Sequence, residues 1–115
     1  MKRNKLVEKL MVTLQARRGF ELGFDTVRDM LDVSAKHMPA SQRATLEEKL
    51  VMLERGQVYS VPGLQALYDV LAAYGLTVGA LVGAVLQDHE LMELVRDNER
   101  LAAVVWQTLI EQIEE

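Results

Sequence analysis

His37 and His89 are the only imidazoles in this chain, and cysteine is absent. Nucleophilic catalysis needs a Ser, Thr or Cys held against such a base, and neither histidine falls in an elbow or triad motif with a serine. His89 and Glu93 stand one helical turn apart and supply half of a metal site. No further histidine follows to complete it, so a solvated helix face is expected there. The acidic pairs Glu47/Glu48 and Glu114/Glu115 read the same way, as solvated faces of helices. Gly75, Gly79 and Gly83 lie in an apolar run without the Lys and Ser/Thr of a phosphate-cradling loop. No enzyme chemistry is legible, and no metal or cofactor is expected.

Charge is distributed with more information than chemistry is. Up to Arg55 the chain carries eleven basic residues against eight acidic ones; from Gly56 onward it carries two against nine. A basic half beside an acidic half can place a nucleic-acid surface next to a partner-binding surface.

The elements that must position these residues read as helices throughout. Half of the 115 residues are hydrophobic, supplied mainly by Leu, Val, Ala and Met, and only two are prolines. That composition suits helices better than sheets. The expectation is all-α: one domain over 1–115, a compact bundle of six or seven short helices. Lacking cysteine, the chain suits a reducing cytoplasm. Lys2, Arg3 and Lys5 are followed by Glu8 and Lys9 rather than by the apolar run of a signal peptide. The most apolar stretch, Leu76–Leu86, is far shorter than the ~20 residues of a membrane span, so no membrane is expected.

Helix one is expected over 3–18, stopped by Gly19, and helix two over 25–35, capped by Asp25. Met38-Pro39 breaks the pattern, because the residue before proline avoids helical geometry. Ser41 then caps a third helix over 42–55, ended by Gly56. A fourth, over 62–74, begins with Pro62 and closes at Gly75. Thr77, Asp88 and Asn98 cap the fifth, sixth and last helices, the last over 99–114. Gly79 and Gly83 follow Gly75 at four-residue spacing, which predicts close approach of a neighbouring helix. The last helix spreads its apolar residues over more than one face. Such a helix must be clasped by neighbouring helices of the same chain or by a second copy, and a homodimer through Leu101, Val105, Trp106, Leu109, Ile110 and Ile113 is expected.

The stretch Leu53–Val82 carries a resemblance. Its Glu54-Arg55-Gly56 helix end, the Pro62 start, the leucine-rich helix and the Tyr74-Gly75-Leu76-Thr77 turn resemble the back half of the lambda-repressor/Cro-like (XRE) helix-turn-helix domain. Arg17-Arg18-Gly19 looks like the end of that family's first helix. Phe24–Leu31 followed by Asp32-Val33-Ser34 looks like its second helix and turn. The interval from Ser34 to Glu54 is longer than the family's. Counting forward from Ser34 places Lys36, His37, Ser41, Gln42 and Arg43 in the turn and at the next helix start, with Arg17, Arg18 and Arg28 as backbone contacts. The resemblance implies a helix-turn-helix-like core at 3–87, with C-terminal packing and dimerisation helices at 88–115. It also implies a repressor-like transcriptional regulator that binds double-stranded DNA as a dimer. The acidic total favours the other expectation, a non-enzymatic helical protein-interaction module such as an anti-activator or adaptor that occupies a protein partner.

Overall fold

Seven α-helices make up most of residues 5–113, the part of the chain that the computed structural model describes, and no strand occurs among these residues. In chain order they are α1 (Lys5–Gln15), α2 (Val27–Ser34), α3 (Ala40–Glu54), α4 (Leu64–Tyr74), α5 (Val78–Leu86), α6 (His89–Arg96) and α7 (Glu99–Ile113). The all-α bundle expected from the sequence is the fold.

Local chemistry explains most of the helix ends. Thr77, Asp88 and Asn98 accept hydrogen bonds from the backbone N–H groups of Ala80, Leu91 and Leu101, satisfying donors that a helix start leaves open. Gly56 and Gly75 end α3 and α4 at φ of 66° and 64°, a left-handed conformation that only glycine adopts without a steric cost. Three starts differ from expectation by a residue or two. Thr26 rather than Asp25 caps α2, accepting from the Asp29 N–H. α3 starts at Ala40, directly after Pro39, so Ser41 lies inside its first turn and caps nothing. Pro62 stands outside α4, whose cap is Gly63. The first helix differs more: α1 ends at Gln15, and Gly19 lies within the wider turn described below.

The core is one cluster. Leu6, Leu10 and Leu14 of α1 meet Met30 and Leu31 of α2, Leu50 and Leu53 of α3, and Leu67, Val70 and Leu71 of α4. α5 is the central strut, packed against α1, α6 and α7. Its glycines permit that: a Cβ on Gly79 would collide with the Val95 carbonyl oxygen, and one on Gly83 would lie 3.1 Å from Met92 Cγ. The Glu99 carboxylate of α7 accepts from the Gly79 N–H at 3.1 Å, a favourable site for negative charge at a helix start. α7 lays Ala102 and Trp106 into the core.

No single helix among the described residues is long and apolar enough to cross a membrane. α4 and α5 together have the apolar length, but they meet at 93°, and most of their large apolar side chains are core.

Candidate functional site

The N-terminal arginines expected to face phosphates do something else. α1 does not stop at its end but widens into a π-helical turn, Ala16–Glu21. The N–H of Leu22 donates to the Arg17 carbonyl five residues back at 2.9 Å, and that of Phe24 to the Arg18 carbonyl at 2.9 Å. Such turns are rare and unstable alone, so something outside them must hold their shape. Here the two arginines do so.

Arg17 reaches the end of α4. Its Nε donates to the Tyr74 carbonyl at 2.9 Å and Nη2 to the Gly75 carbonyl at 3.2 Å, while Nη1 pairs with Glu21. Those carbonyls belong to a helix C-terminus, where they lack intrahelical donors and favour a cation. Arg18 turns toward α3. Its Nε lies 2.9 and 3.0 Å from the two oxygens of Glu54, with Nη2 at 2.9 Å from Oε1. Its Nη1 donates to the Phe24 and Asp25 carbonyls, each at 2.8 Å. The Tyr74 hydroxyl donates to Glu54 Oε2 at 2.6 Å, and Gln15 Nε2 donates to the Glu54 carbonyl.

Glu54 is only 4% exposed, the one buried charged residue among those described. An unpaired carboxylate there would be costly, so its three donors on Arg18 and Tyr74 are conditions of its burial. The hydrogen bond that it donates to Glu54 raises the Arg18 guanidinium above its usual range, against the opposing effect of burial. Burial, then the adjacent Glu54 carboxylate, pushes the Tyr74 phenol far up, so it stays protonated in the folded chain. No buried side-chain polar atom among the described residues lacks a partner. The polar atoms of this triad are all engaged within the chain. The triad is a polar joint between the turn, α3 and α4.

What the joint presents is Phe20, on the same turn and 91% exposed. A phenylalanine is ordinarily buried. Val12 (58% exposed) and the exposed Ala16 precede it at four-residue spacing, so a strip of apolar surface runs along α1 toward it.

The remaining expected nucleic-acid contacts are divided. Arg28 is bound by both oxygens of Glu47 at 3.1 and 3.3 Å, which raises its guanidinium above the usual range, and Arg43 approaches Asp32 at 3.9 Å. Both pairs bridge α2 and α3. Lys36, His37, Ser41 and Gln42 are exposed around the start of α3, and their side chains make no hydrogen bond or ion pair among the described residues. His89 and Glu93 lie exposed on α6, and no group of three or more metal-ligating side chains occurs among the described residues.

The α7 surface needs correction. Trp106, expected at a dimer interface, is 0% exposed within the single chain, its indole N–H donating to the Pro62 carbonyl at 3.2 Å. Leu101, Val105, Leu109 and Ile110 are half-buried against the same core. Of the face assigned to a second copy, Trp106 is thus covered within the chain, and the other four keep part of their surface open. The Ile113 side chain lies outside the described residues.

Several clefts open on the surface formed by the described residues. One of about 310 Å³ lies over the Arg18–Glu54 pair beside Arg55. A second, about 230 Å³, runs between α1 and the end of α5 beside Lys9. A third, about 200 Å³, follows the Arg28 and Arg43 pairs. A fourth, about 240 Å³, lies between the end of α2 and α4.

Sequence reasoning missed Glu54 and the π-helical turn. Glu54 had a signal: it falls four residues after Leu50, on the buried row of α3. Comparison of the chain with protein-family models, with curated proteins and with solved structures finds no match.

Proposed function

We propose that this chain is a non-enzymatic helical protein-interaction module whose docking element is the π-helical turn with Phe20 at its tip. The observation that carries this reading is the pairing of a 91% exposed phenylalanine with a turn pinned on both sides by Arg17 and Arg18. Aromatic anchors dominate binding energy at protein interfaces, and a pre-ordered anchor loses little entropy on docking. Three arginines that a DNA-binding reading needs, Arg17, Arg18 and Arg28, already donate to backbone carbonyls, Glu54 and Glu47. Moving Arg18 to a phosphate would leave the buried Glu54 carboxylate with the Tyr74 hydroxyl alone.

The repressor-like reading keeps one supporting observation. Lys36, His37, Ser41 and Gln42 gather, unpartnered, around the start of α3, which has no side-chain cap. Backbone N–H groups at a helix start suit phosphate.

One experiment separates the two. Affinity capture with the wild-type chain and with Phe20→Ser should retain a partner on the first bait and lose it on the second. Identical captured sets would defeat the interaction reading. In parallel, anisotropy with a mixed DNA duplex at low salt should show no binding. Salt-sensitive binding that drops on Lys36→Ala and Arg43→Ala would return the chain to the regulator class.

A further inference from the structure

The cleft between the end of α2 and α4 differs in the charge of its lining from the three others described above. Each of those is lined by at least one lysine or arginine: Lys9, Arg18 with Arg55, or Arg28 with Arg43. This one has a carboxylate, Asp69, and neither lysine nor arginine. Ser34 and His37 complete its polar rim, with Met38, Leu46 and Ala72 among its apolar lining. None of the three polar side chains has a hydrogen-bond or ion-pair partner among the described residues. α2 ends at Ser34, so the negative end of its backbone dipole lies at the same rim.

We propose that this cleft binds an alkylammonium group, supplied by a small primary amine or by the lysine side chain of a partner protein. An ammonium offers donors only, and the rim offers acceptors: the Asp69 carboxylate, the Ser34 hydroxyl and an imidazole nitrogen of His37. A four-carbon stem lies against Met38, Leu46 and Ala72, the way lysine lays its methylenes on apolar surface while its head stays polar. The volume of about 240 Å³ accommodates such a chain. Phe20 takes no part, so this site stands or falls apart from the docking element above.

The test is an amide NMR titration of the full chain with n-butylammonium at millimolar concentrations. Saturable shifts should centre on Ser34, His37, Asp69 and Ala72, and neutral n-butanol should not reproduce them. Asp69→Asn should weaken binding by about tenfold or more, the loss of one charge-assisted contact. Asp97→Asn on α6 should leave it unchanged. Ala72→Leu fills the cleft from an exposed helical position, so it should abolish binding while the thermal midpoint holds. Phe20→Ser should bind the amine as the wild type does. Absence of saturable shifts, shifts scattered over the acidic side chains, or binding that survives Asp69→Asn would overturn the assignment. Nα-acetyl-lysine N-methylamide separates the two sources. Tighter binding than n-butylammonium marks a partner's lysine, and weaker binding marks a free amine.

Discussion

Around Glu54 the chain is joined by hydrogen-bonded charge, whereas around Gly79 it is joined by backbone laid against backbone. The first joint links segments far apart in sequence, with Arg18 and Glu54 separated by 36 residues and Arg17 and Tyr74 by 57. The second links consecutive helices, α5 to α6, and then α7 through Glu99. A polar joint depends on every partner being present, because removing one leaves another buried without a counter-charge. A glycine joint depends on volume, because there is no room for even one carbon. The two ends of the molecule should therefore fail in different ways.

The largest effect is expected from Trp106→Ala, which empties the core behind α7 and should cost about 3–5 kcal/mol, read by denaturant unfolding. Were Trp106 instead a dimer contact, stability would hold and the sedimenting mass would fall. Glu54→Ala should cost about 3 kcal/mol, the lower end for breaking a buried pair, since the Arg18 side chain keeps 18% of its exposure. The contrast sharpens in the triple variant Arg18→Met, Glu54→Leu, Tyr74→Phe. Replacing all three partners together should recover most of the loss. A triple variant no better than Glu54→Ala would mean that the charge itself specifies the joint.

At the glycine joint, Gly79→Ala should cost about 1–3 kcal/mol through overpacking against the Val95 carbonyl, despite alanine's higher helix propensity. No compensating substitution of polarity should rescue it. Tyr74→Phe should cost about 1 kcal/mol at neutral pH, the usual value of one hydrogen bond. Its pH dependence is more informative. The folded phenol is raised above its ordinary range, so its contribution is complete below the unfolded phenol value of about 10. It is lost as pH rises beyond that, because the unfolded chain ionises first. The wild-type and Phe variants should converge in stability above that pH. Curves that stay parallel would place Tyr74 outside the joint. The smallest effect is a gain: Gln87 ends α5 at φ 53°, so Gln87→Gly should stabilise by about 0.5 kcal/mol in thermal melts.

The same comparison explains what was legible in the sequence. Thr77, Asp88, Asn98, Gly56 and Gly75 act within a few residues of themselves, and each behaves as its type and place imply. Gly79 and Gly83 announced a close approach, although not that α6 makes it. The errors at Asp25, Ser41 and Pro62 are shifts along the chain by a residue or two, where neighbouring residues compete for one cap. The partners of Arg17 and Arg18 were not legible, for another reason. Arginine is suited to phosphates, carboxylates and carbonyls alike, and its choice here was made by Glu54 and Tyr74, whose positions depend on the whole bundle. The π-helical turn was hidden for the same reason, since those distant acceptors hold it. The wide apolar surface of α7 was legible, and the core of the same chain takes Trp106 fully and Leu101, Val105, Leu109 and Ile110 in part.

Trp106 is the only tryptophan in the chain, and its indole N–H is tied to the carbonyl of Pro62, just ahead of α4. The protein thus carries its own optical gauge at the contact between its last helix and its middle. Indole emission moves to the red when water replaces a buried carbonyl and apolar walls. A single fluorescence trace therefore reports the release of α7 separately from circular dichroism, which follows all seven helices. Whether those two signals move together during unfolding would reveal if the charge-bonded half and the glycine-bonded half come apart as one body or in succession.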